Sequence, residues 1–321
     1  MKNGGLALPG GKIVKADELG ILAALAVLCV FLSLYSPYFL SVTNIMNVLR
    51  QFAIYAILAT GEAMIIISGG LDLSVGTLMG LMGVVCAYMT TNLGAPAAAV
   101  FPLVLVFGGL FGAFNGLLVT KVGMNPFITT LGTQNICRGL ALLITGGTPI
   151  WFESRLGYIG GGYVGPVPVS ALVMLMVAAA FVVITRRTVA GRNLYAVGSN
   201  EKSARLSGIR VDHVKMMAHV IMGVLAALCG VILAGQLKSA DPQGGAGNEM
   251  HAITAAIIGG TALSGGKGSI LGVIIGASLM GVLRNGLVLL SLPSYWQIIS
   301  VGAVILLAVA YDSFKSKREA K

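Results

Sequence analysis

The chain has 321 residues, of which 56% are hydrophobic and only 10% are charged. Soluble domains carry about 25% charged residues, so this composition excludes an ordinary soluble domain and indicates an integral membrane protein. The formal net charge is +10, which in a soluble protein would suggest a nucleic-acid partner. Because most of the excess lies in a few polar segments of an apolar chain, membrane topology explains it better, and we expect no nucleic-acid binding.

Apolar segments recur along nearly the whole chain. About 20 apolar residues cross the hydrocarbon core of a bilayer, and this length predicts an all-α polytopic fold of about ten transmembrane helices, some of them broken. The predicted helices lie at residues 19–35, 52–67, 77–88, 97–119, 127–144, 171–184, 216–235, 251–262, 270–290 and 296–310. Residues 41–51 form a short amphipathic stretch, and residues 145–170 and 237–250 form loops, all on the outer side. The second, third and eighth segments are the weakest, so an error in the number should fall there.

One long polar segment, residues 186–215, contains seven of the 21 basic residues. Positive charge that flanks transmembrane segments stays on the cytoplasmic side, which makes this segment a cytoplasmic loop. Ten crossings then place cytoplasmic tails at residues 1–18 and 312–321, on either side of a single membrane domain at residues 19–311. Sixteen of the 21 basic residues are cytoplasmic in this topology.

Two stretches share a pattern, an Asn-Gly pair in one helix followed by a Pro that opens the next. They are FNGLLVTKVGMNPFITTLG, from Phe114, and RNGLVLLSLPSYWQIISVG, from Arg284. The two helix pairs run in opposite senses in the predicted topology, which indicates a possible inverted repeat. Chance similarity between apolar, Gly-rich segments explains the pattern about equally well.

The motif GGLDLSVG, residues 69–76, places an acidic residue in an apolar region. An Asp inside a membrane segment costs several kcal/mol unless it is capped, paired or hydrated. Two glycines interrupt one helix before Asp72, and Ser74 lies just before the next helix. One interpretation is a broken helix that lines a substrate pathway. The other, which we favour for Asp72 itself, is a structural cap on the next helix.

Two further sets of polar side chains lie in apolar segments. Glu62 is in the middle of ILATGEAMIII, where it either faces a pathway or forms a structural ion pair with Arg138 or Arg284. The stretch NPFITTLGTQN places Thr130 and Gln134 on one helix face, shortly after Phe127. These neutral groups suit a polyol in transit, although hydrogen bonding between helices explains them slightly better.

No cofactor or metal site is expected. The four cysteines lie in apolar segments without metal-ligand spacing, and the three histidines do not cluster. The stretch GGTALSGGKGS differs from a phosphate-binding P-loop both in the glycine spacing and in the residue after Lys267. We therefore expect a transport subunit that is not itself an ATPase.

The stretch SNEKSARLSGI, residues 199–209, predicts an amphipathic helix of two to three turns closed by Gly208. It suits docking to a cytoplasmic partner, and a helix lying on anionic lipid is an equally good interpretation.

As an ordered set, five motifs resemble the membrane permeases of bacterial ABC sugar importers of the ribose type, carbohydrate uptake class 2. They are GGLDLSVG, NPFITTLGT, GRNLYAVGSNEKSARLSGI, NEMHAITAAIIGGTALSGGKGS and NGLVLL, and the resemblance extends from about residue 19 to residue 312. It implies a multi-pass protein of the bacterial inner membrane that pairs with a second permease copy. A periplasmic sugar-binding protein would deliver the sugar, and a cytoplasmic ABC ATPase would bind ATP.

The resemblance also implies roles for individual residues. The ATPase-coupling helix would contain Asn200, Glu201, Ala204, Leu206, Ser207, Gly208 and Ile209. From the residues themselves, we further expect the substrate pathway to be lined by Asp72, Ser74, Phe127, Thr130 and Gln134, with Glu62 as a further candidate. Glu62 and Arg284 depart from the family's pattern, which leaves the chemistry of the lining open.

We therefore expect an ABC permease for a monosaccharide, a ribose-like pentose or a hexose. One alternative is a secondary transporter driven by an ion gradient, which would need carboxylates that titrate within the membrane. Another is an ABC permease for a different small solute, such as a branched-chain amino acid, for which Arg138 and Glu62 would face the pathway.

Overall fold

A computed structural model describes residues 6–7, 13–14 and 16–319, so most of the predicted N-terminal tail lies outside the described residues. The described chain is mainly helical. Its helices are α1 (Ala16–Tyr35), α2 (Val42–Ile67), α3 (Val75–Ala87), α4 (Ala97–Leu117), α5 (Pro126–Thr145), α6 (Gly157–Gly161), α7 (Val169–Arg187), α8 (Val189–Ser199), α9 (Glu201–Leu206), α10 (Val211–Leu237), α11 (Asn248–Ile258), α12 (Ile270–Leu289) and α13 (Ser294–Glu319). Short π-helical turns extend α3 (Tyr88–Asn92) and α4 (Leu118–Val122).

Six two-residue strands form three small antiparallel pairs. The strands are β1 (Leu6–Ala7), β2 (Ile13–Val14), β3 (Ile150–Trp151), β4 (Tyr163–Val164), β5 (Val167–Pro168) and β6 (Ser239–Ala240). β1 pairs with β2, β3 with β6, and β4 with β5. The β3–β6 pair joins the α5–α6 and α10–α11 connections, at the end of the bundle where α10 finishes.

The prediction of an all-α polytopic membrane protein is confirmed. Among the described residues, seven helices are long and apolar enough to cross a membrane. They are Glu18–Tyr35, Val42–Ile67, Val75–Asn92, Ala97–Val122, Val169–Arg187, Val211–Leu237 and Ile270–Leu289. The predicted number of ten is too high by this measure. Polar side chains lower the hydropathy of α5, α11 has only 11 residues, and the apolar part of α13 is Ser294–Leu307.

The predicted amphipathic stretch at residues 41–51 is instead the first part of α2. The Ser41 hydroxyl accepts a hydrogen bond from the Asn44 amide and caps this 26-residue helix. Two polar side chains of the stretch, Asn44 and Arg50, are bonded to other helices. Asn44 and Asn285 exchange two side-chain hydrogen bonds of 3.0 and 2.8 Å, and Arg50 donates to the Gln236 carbonyl oxygen at 2.7 Å. The amphipathic pattern therefore reflects partners on α10 and α12, not a helix on the membrane surface.

Two long membrane helices, α2 and α10, form the centre of the bundle. On one side, α10 packs against α3 and α4, and α5 contacts α3. On the other side, α2 packs in the same way against α11 and α12, and α13 contacts α11. This correspondence is consistent with a repeat of the kind that the two Asn-Gly stretches indicate. Glycines set the closest approach between α4 and α10, because a Cβ at Gly223 would lie 2.1 Å from the Gly108 carbonyl oxygen.

The connection between α10 and α11 folds into the bundle beside α3, whereas residues 237–250 were predicted to form an outer loop. A Cβ at Gly245 would lie 1.9 Å from the Gly76 carbonyl oxygen, so the two backbones are in direct contact. Gly247, with φ of 88°, turns the chain into α11. The inward path of this connection accounts for the short α11, since the helix starts among the side chains of the bundle.

Candidate functional site

The break between α2 and α3 is held by Asp72. Gly69 leaves α2 with φ of 86°, a conformation that L-residues rarely adopt. Asp72 Oδ1 accepts hydrogen bonds from the Ser74 amide at 2.8 Å and from the Ser74 hydroxyl at 2.6 Å. Ser74 immediately precedes α3 and makes no side-chain cap bond to the helix. The carboxylate therefore orders the turn that leads into α3, but it bonds the residue before the helix and not an amide of α3 itself.

Side chains from α4 and α5 extend this turn into a buried polar cluster. Asn115 Nδ2 donates to the Ser74 hydroxyl at 3.0 Å and to Asp72 Oδ2 at 3.5 Å. The Thr133 hydroxyl donates to Asn115 Oδ1 at 2.5 Å. The Thr130 hydroxyl accepts from the Leu73 amide at 3.1 Å and donates to the Pro126 carbonyl oxygen at 2.9 Å. Each hydroxyl or amide thus has a partner, and the cluster fixes the break against two neighbouring helices.

Glu62 supports the same break from α2. Its side chain is fully buried, and Oε1 accepts a hydrogen bond from the Asp72 amide at 3.1 Å. Oε2 has no hydrogen-bond partner among the described residues. The predicted alternative of an ion pair with Arg138 or Arg284 is wrong, because Arg138 donates to Gln243 Oε1 at 3.3 Å and Arg284 bonds to other side chains.

The other two predicted pathway residues lie on α5. Gln134 Nε2 donates to Glu249 Oε1 at 3.2 Å, and Phe127 is 47% exposed. Glu249 is almost fully buried against Gly76. It was not predicted as a site residue, although an acidic residue beside the apolar run of α11 was a signal. Asn115 was noticed only as part of the repeat.

One face of α5 is exposed on the single protomer. Phe127, Leu131 and Asn135 are spaced by one turn, and all three are exposed. Thr130 and Gln134 lie at the edge of this exposed face, and the buried side of the helix carries Thr133 of the polar cluster. α5 therefore joins the buried cluster to a surface that is open to a substrate or to a second copy of the chain.

The predicted cytoplasmic loop at residues 186–215 is largely helical. α7 continues to Arg187, α8 and α9 follow, and α10 begins at Val211. We call residues 188–211 the α8–α9 module. The prediction of a short helix closed by Gly208 holds, but α9 has six residues and not two to three full turns.

Local sequence accounts for both ends of α9. Asn200 Oδ1 accepts a hydrogen bond from the Ser203 amide at 2.9 Å and caps the start of the helix. At the other end Gly208 has φ of 81°. Its amide bonds to the Arg205 carbonyl oxygen, and the Ile209 amide bonds to the Ala204 carbonyl oxygen, each at 3.1 Å. These two bonds form a Schellman motif.

The two sides of α9 differ sharply. Ala204 is 5% exposed and packs with Val197 and Val211 in a small apolar cluster. Leu206 is 90% exposed, and Ser207 beside it is also exposed. Ala204 therefore anchors α9 to its own protein, whereas the Leu206 end of α9 is free to contact a partner.

Ion pairs hold two charged residues of the module, Glu201 and Arg205. Glu201 contacts Lys215 at 2.6 Å and Arg205 at 3.5 Å, and Asp212 contacts Arg205 at 3.0 Å and Lys121 at 3.4 Å. The hydrogen bond from Lys215 holds the pKa of Glu201 below its ordinary value. Glu201 thus links α9 to the first turns of α10 through Lys215.

The base of the module rests on the end of α2. A Cβ at Gly198 would lie 1.6 Å from the Ile67 carbonyl oxygen and 2.6 Å from the Gly266 amide nitrogen. The Tyr195 hydroxyl donates to the Gly268 carbonyl oxygen at 3.1 Å. The stretch GGTALSGGKGS is thus a packing surface for α8. Gly198 of the module also contacts Ile67 of α2, which lies five residues after Glu62 and just before the break.

Comparison with known proteins assigns the chain to a family. A family model described as the branched-chain amino acid transport system permease component matches residues 44–309. The ribose import permease protein RbsC of Bacillus subtilis (strain 168) is 42% identical over 303 residues, covering 94% of each chain. The D-allose transport system permease protein AlsC of Escherichia coli (strain K12) is 39% identical, covering 94% of this chain and 93% of the relative.

The xylose transport system permease protein XylH of Escherichia coli (strain K12) is 34% identical, and the match covers 93% of this chain and 92% of XylH. No solved structure matches the chain significantly. The matches extend over nearly the whole sequence and include the α2–α3 break and the α8–α9 module. The chain therefore belongs to the family of membrane permeases of sugar ABC importers, as the five sequence motifs indicate.

Proposed function

We propose that this chain is the membrane permease subunit of a bacterial importer for a monosaccharide, a ribose-like pentose or a hexose. The observation that carries the proposal is the α8–α9 module, which presents Leu206 to a partner on one side and contacts the α2–α3 break on the other. The relatives are named for ribose, allose and xylose, which supports a small sugar as the substrate.

The module would face the cytoplasm and bind a partner ATPase. Its basic residues suit the cytoplasmic side of the inner membrane, with both chain termini on that side. The partner would bind and hydrolyse ATP, and this chain would do no covalent chemistry. A periplasmic sugar-binding protein would deliver the sugar at the opposite end of the bundle, where the β3–β6 pair and the exposed Trp151 lie.

The pathway would form between two copies of the chain. Asp72, Ser74, Thr130 and Glu62 are buried in one protomer, and Gln134 is partly buried, so these residues order the wall of the pathway. Phe127 and the exposed face of α5 would line it directly and contact the second copy. This arrangement suits a channel that binds a sugar weakly while the binding protein supplies the selectivity.

Coupling would follow from packing. Movement of α9 by the ATPase would move α8, because Ala204 of α9 packs with Val197 of α8. α8 would move the end of α2 through the contact at Gly198, and the break would follow. ATP binding would thus bias a rigid-body transition between two arrangements of the bundle.

The test compares Leu206→Asp with Val189→Asp in lipid vesicles that contain the permease, its ATPase and its binding protein. Both substitutions replace an exposed apolar side chain of the module with a carboxylate, since Leu206 is 90% and Val189 is 60% exposed. We expect Leu206→Asp to abolish sugar-stimulated ATP hydrolysis and to weaken co-purification of the ATPase. Val189→Asp should retain both.

Equal activity of the two variants would contradict the assignment of α9 as the coupling contact. Sugar uptake by the purified chain alone, driven by an ion gradient and unaffected by Leu206→Asp, would overturn the importer proposal as a whole.

A further inference from the structure

A cavity of about 450 Å³ lies between α11, α12 and α13, outside the polar cluster and the module described above. Its lining is mixed. Arg284, His251, Ser294 and Gln297 contribute polar groups, whereas much of the remaining wall consists of the apolar side chains Met250, Met280, Leu283, Leu287, Val301 and Ile305. The volume is in the range of sites that hold a small molecule.

Arg284 is a cation in a membrane helix without an acidic partner among the described residues. Its guanidinium donates to the Tyr55 hydroxyl and to Gln297 Oε1, and it lies 5.9 Å from the Tyr55 ring centroid. None of the four ion pairs formed by the described residues includes Arg284. A charge in a membrane segment is costly unless it is paired, so an anionic group in the cavity would offset the cost.

His251 offers a second unused polar atom at the same cavity. Its ring packs against Tyr55 with 4.7 Å between the ring centroids. Its Nδ1 is buried and has no hydrogen-bond partner in the part of the chain that the structure describes. Within that part, the cavity is lined by a cation without a counter-charge, and a ring nitrogen without a partner is buried in its wall, both beside Tyr55.

On α12 and α13, the charged and amide groups of the lining lie near the α12–α13 turn together with Leu287, and the lining further from that turn is apolar apart from Ser300. Ser294 and Gln297 lie in the first turn of α13, and Arg284 lies within about 8 Å of the end of α12, at 1.5 Å per residue. Met280 is one turn further from that end, and Ile305 is about 16 Å from Ser294 along α13. The polar end of the cavity thus lies near the α12–α13 turn, and the apolar end lies deeper in the bundle.

This gradient matches a membrane lipid, which places its charged head at the edge of the bilayer and its chain towards the centre. The rim includes the apolar side chain of Ile298, which is 75% exposed, so the cavity opens to the outside of the single protomer beside an apolar residue. Arginine recognises phosphate through strong, charge-assisted hydrogen bonds. We propose that the cavity binds one phospholipid, with its phosphate on Arg284 and an acyl chain against Met280, Val301 and Ile305.

The test is native mass spectrometry of the purified full chain, titrated with dioleoylphosphatidylglycerol or with dioleoylglycerol, which has the same chains but no phosphate. We compare wild type with Arg284→Gln and with Arg155→Gln, a change at an exposed arginine outside the cavity. We expect Arg284→Gln to need about tenfold more phosphatidylglycerol for the same occupancy, the order expected for loss of a charge-assisted bond. Arg155→Gln should match wild type, and dioleoylglycerol should not distinguish the three.

A second variant tests the apolar end without touching the charge. Gly302 lines the cavity, and a Cβ there would meet no atom within 4 Å, so Gly302→Phe should fill the cavity and reduce binding of phosphatidylglycerol. Gly20→Phe is the matched control, since Gly20 is a helical glycine on α1 with equally open space. The melting temperatures of both variants report whether the fold is intact.

Three outcomes would overturn the proposal. In the first, Arg284→Gln and Gly302→Phe bind phosphatidylglycerol as wild type does. In the second, inorganic phosphate or a sugar stabilises wild type but not Arg284→Gln, while the lipid shows no preference. In the third, both cavity variants become monomeric while wild type is dimeric, and lipid binding is unchanged. This result would identify the cavity as part of an interface between protomers.

Discussion

The backbone amide of Gly266 donates a 2.9 Å hydrogen bond to the carbonyl oxygen of Ile67, the last residue of α2. The last carbonyl groups of a helix lack partners within the helix and need them elsewhere. Here the partner is the loop before α12, and Gly198 of α8 packs on both groups. The α8–α9 module, the Gly-rich loop and the end of α2 thus meet at one point, two residues before Gly69 opens the break.

Gly198→Ala should disrupt this junction. The added Cβ would lie 1.6 Å from the Ile67 carbonyl oxygen, and both nearest groups are backbone and cannot move aside cheaply. We expect the free energy of unfolding to decrease by about 1–3 kcal/mol or more, as at other overpacked sites. Thermal unfolding of the purified protein measures the effect. Gly20→Ala is the control, because a Cβ at Gly20 meets nothing within 4 Å. A Gly198→Ala protein as stable as the control would contradict the packing described here.

Glu62→Gln should be tolerated, whereas Asp72→Ala should not. In the Glu62→Gln protein the side-chain amide oxygen would keep the bond from the Asp72 amide, and Oε2 of Glu62 has no partner among the described residues to lose. Asp72→Ala would leave the Ser74 amide without its acceptor, which costs about 1–3 kcal/mol for a buried donor. Unfolding measurements and sugar uptake in vesicles check both. A folded Glu62→Gln protein without uptake would favour the ion-driven alternative, since it would show that Glu62 must ionise.

Ala204→Glu should detach α9 from α8 and α10. Ala204 is on the predicted coupling helix, but its side chain faces its own protein. Ala204 is 5% exposed in the cluster with Val197 and Val211, and a carboxylate cannot be buried there without a partner. Lys202→Glu introduces the same side chain at an exposed position and should leave α9 folded. Hydrogen exchange of residues 200–211 distinguishes the two variants. Loss of protection in both would indicate that charge, and not burial, controls α9.

The stability of α9 should fall only at acidic pH. The pKa of Glu201 is lowered in the folded module, chiefly by the hydrogen bond from Lys215. A lowered folded pKa contributes stability above the unfolded pKa of about 4.3, and this contribution is lost as pH falls through the folded pKa. Glu201 is largely exposed to solvent, which screens its ion pairs, so the effect should be about 1 kcal/mol or less.

Protection factors for residues 200–211, corrected for the intrinsic exchange rate at each pH, measure this contribution. They should be constant between about pH 6 and 8 and decrease below about pH 4. Glu201→Gln should show a weaker decrease than wild type. An equal decrease in wild type and Glu201→Gln would show that this ion pair does not contribute.

The sequence by itself determined the features that depend on neighbouring residues. Hydropathy identified the membrane class and the order of the helices. Gly69, Gly70 and Asp72 identified the break, since glycine and a capping carboxylate act within a few residues of their own position. Asn200 and Gly208 marked the two ends of α9 for the same reason.

Only the tertiary structure decided which groups from distant segments meet. The sequence did not show that Ala204 faces Val211 while Leu206 faces outwards, because a six-residue helix has too few apolar positions to define a buried side. Nor did it show that Glu62 bonds to the Asp72 amide and not to an arginine. It also did not place Gly245, in the connection between α10 and α11, against Gly76 of α3. Each of these contacts depends on how separate helices pack, a geometry that no local pattern of residues contains.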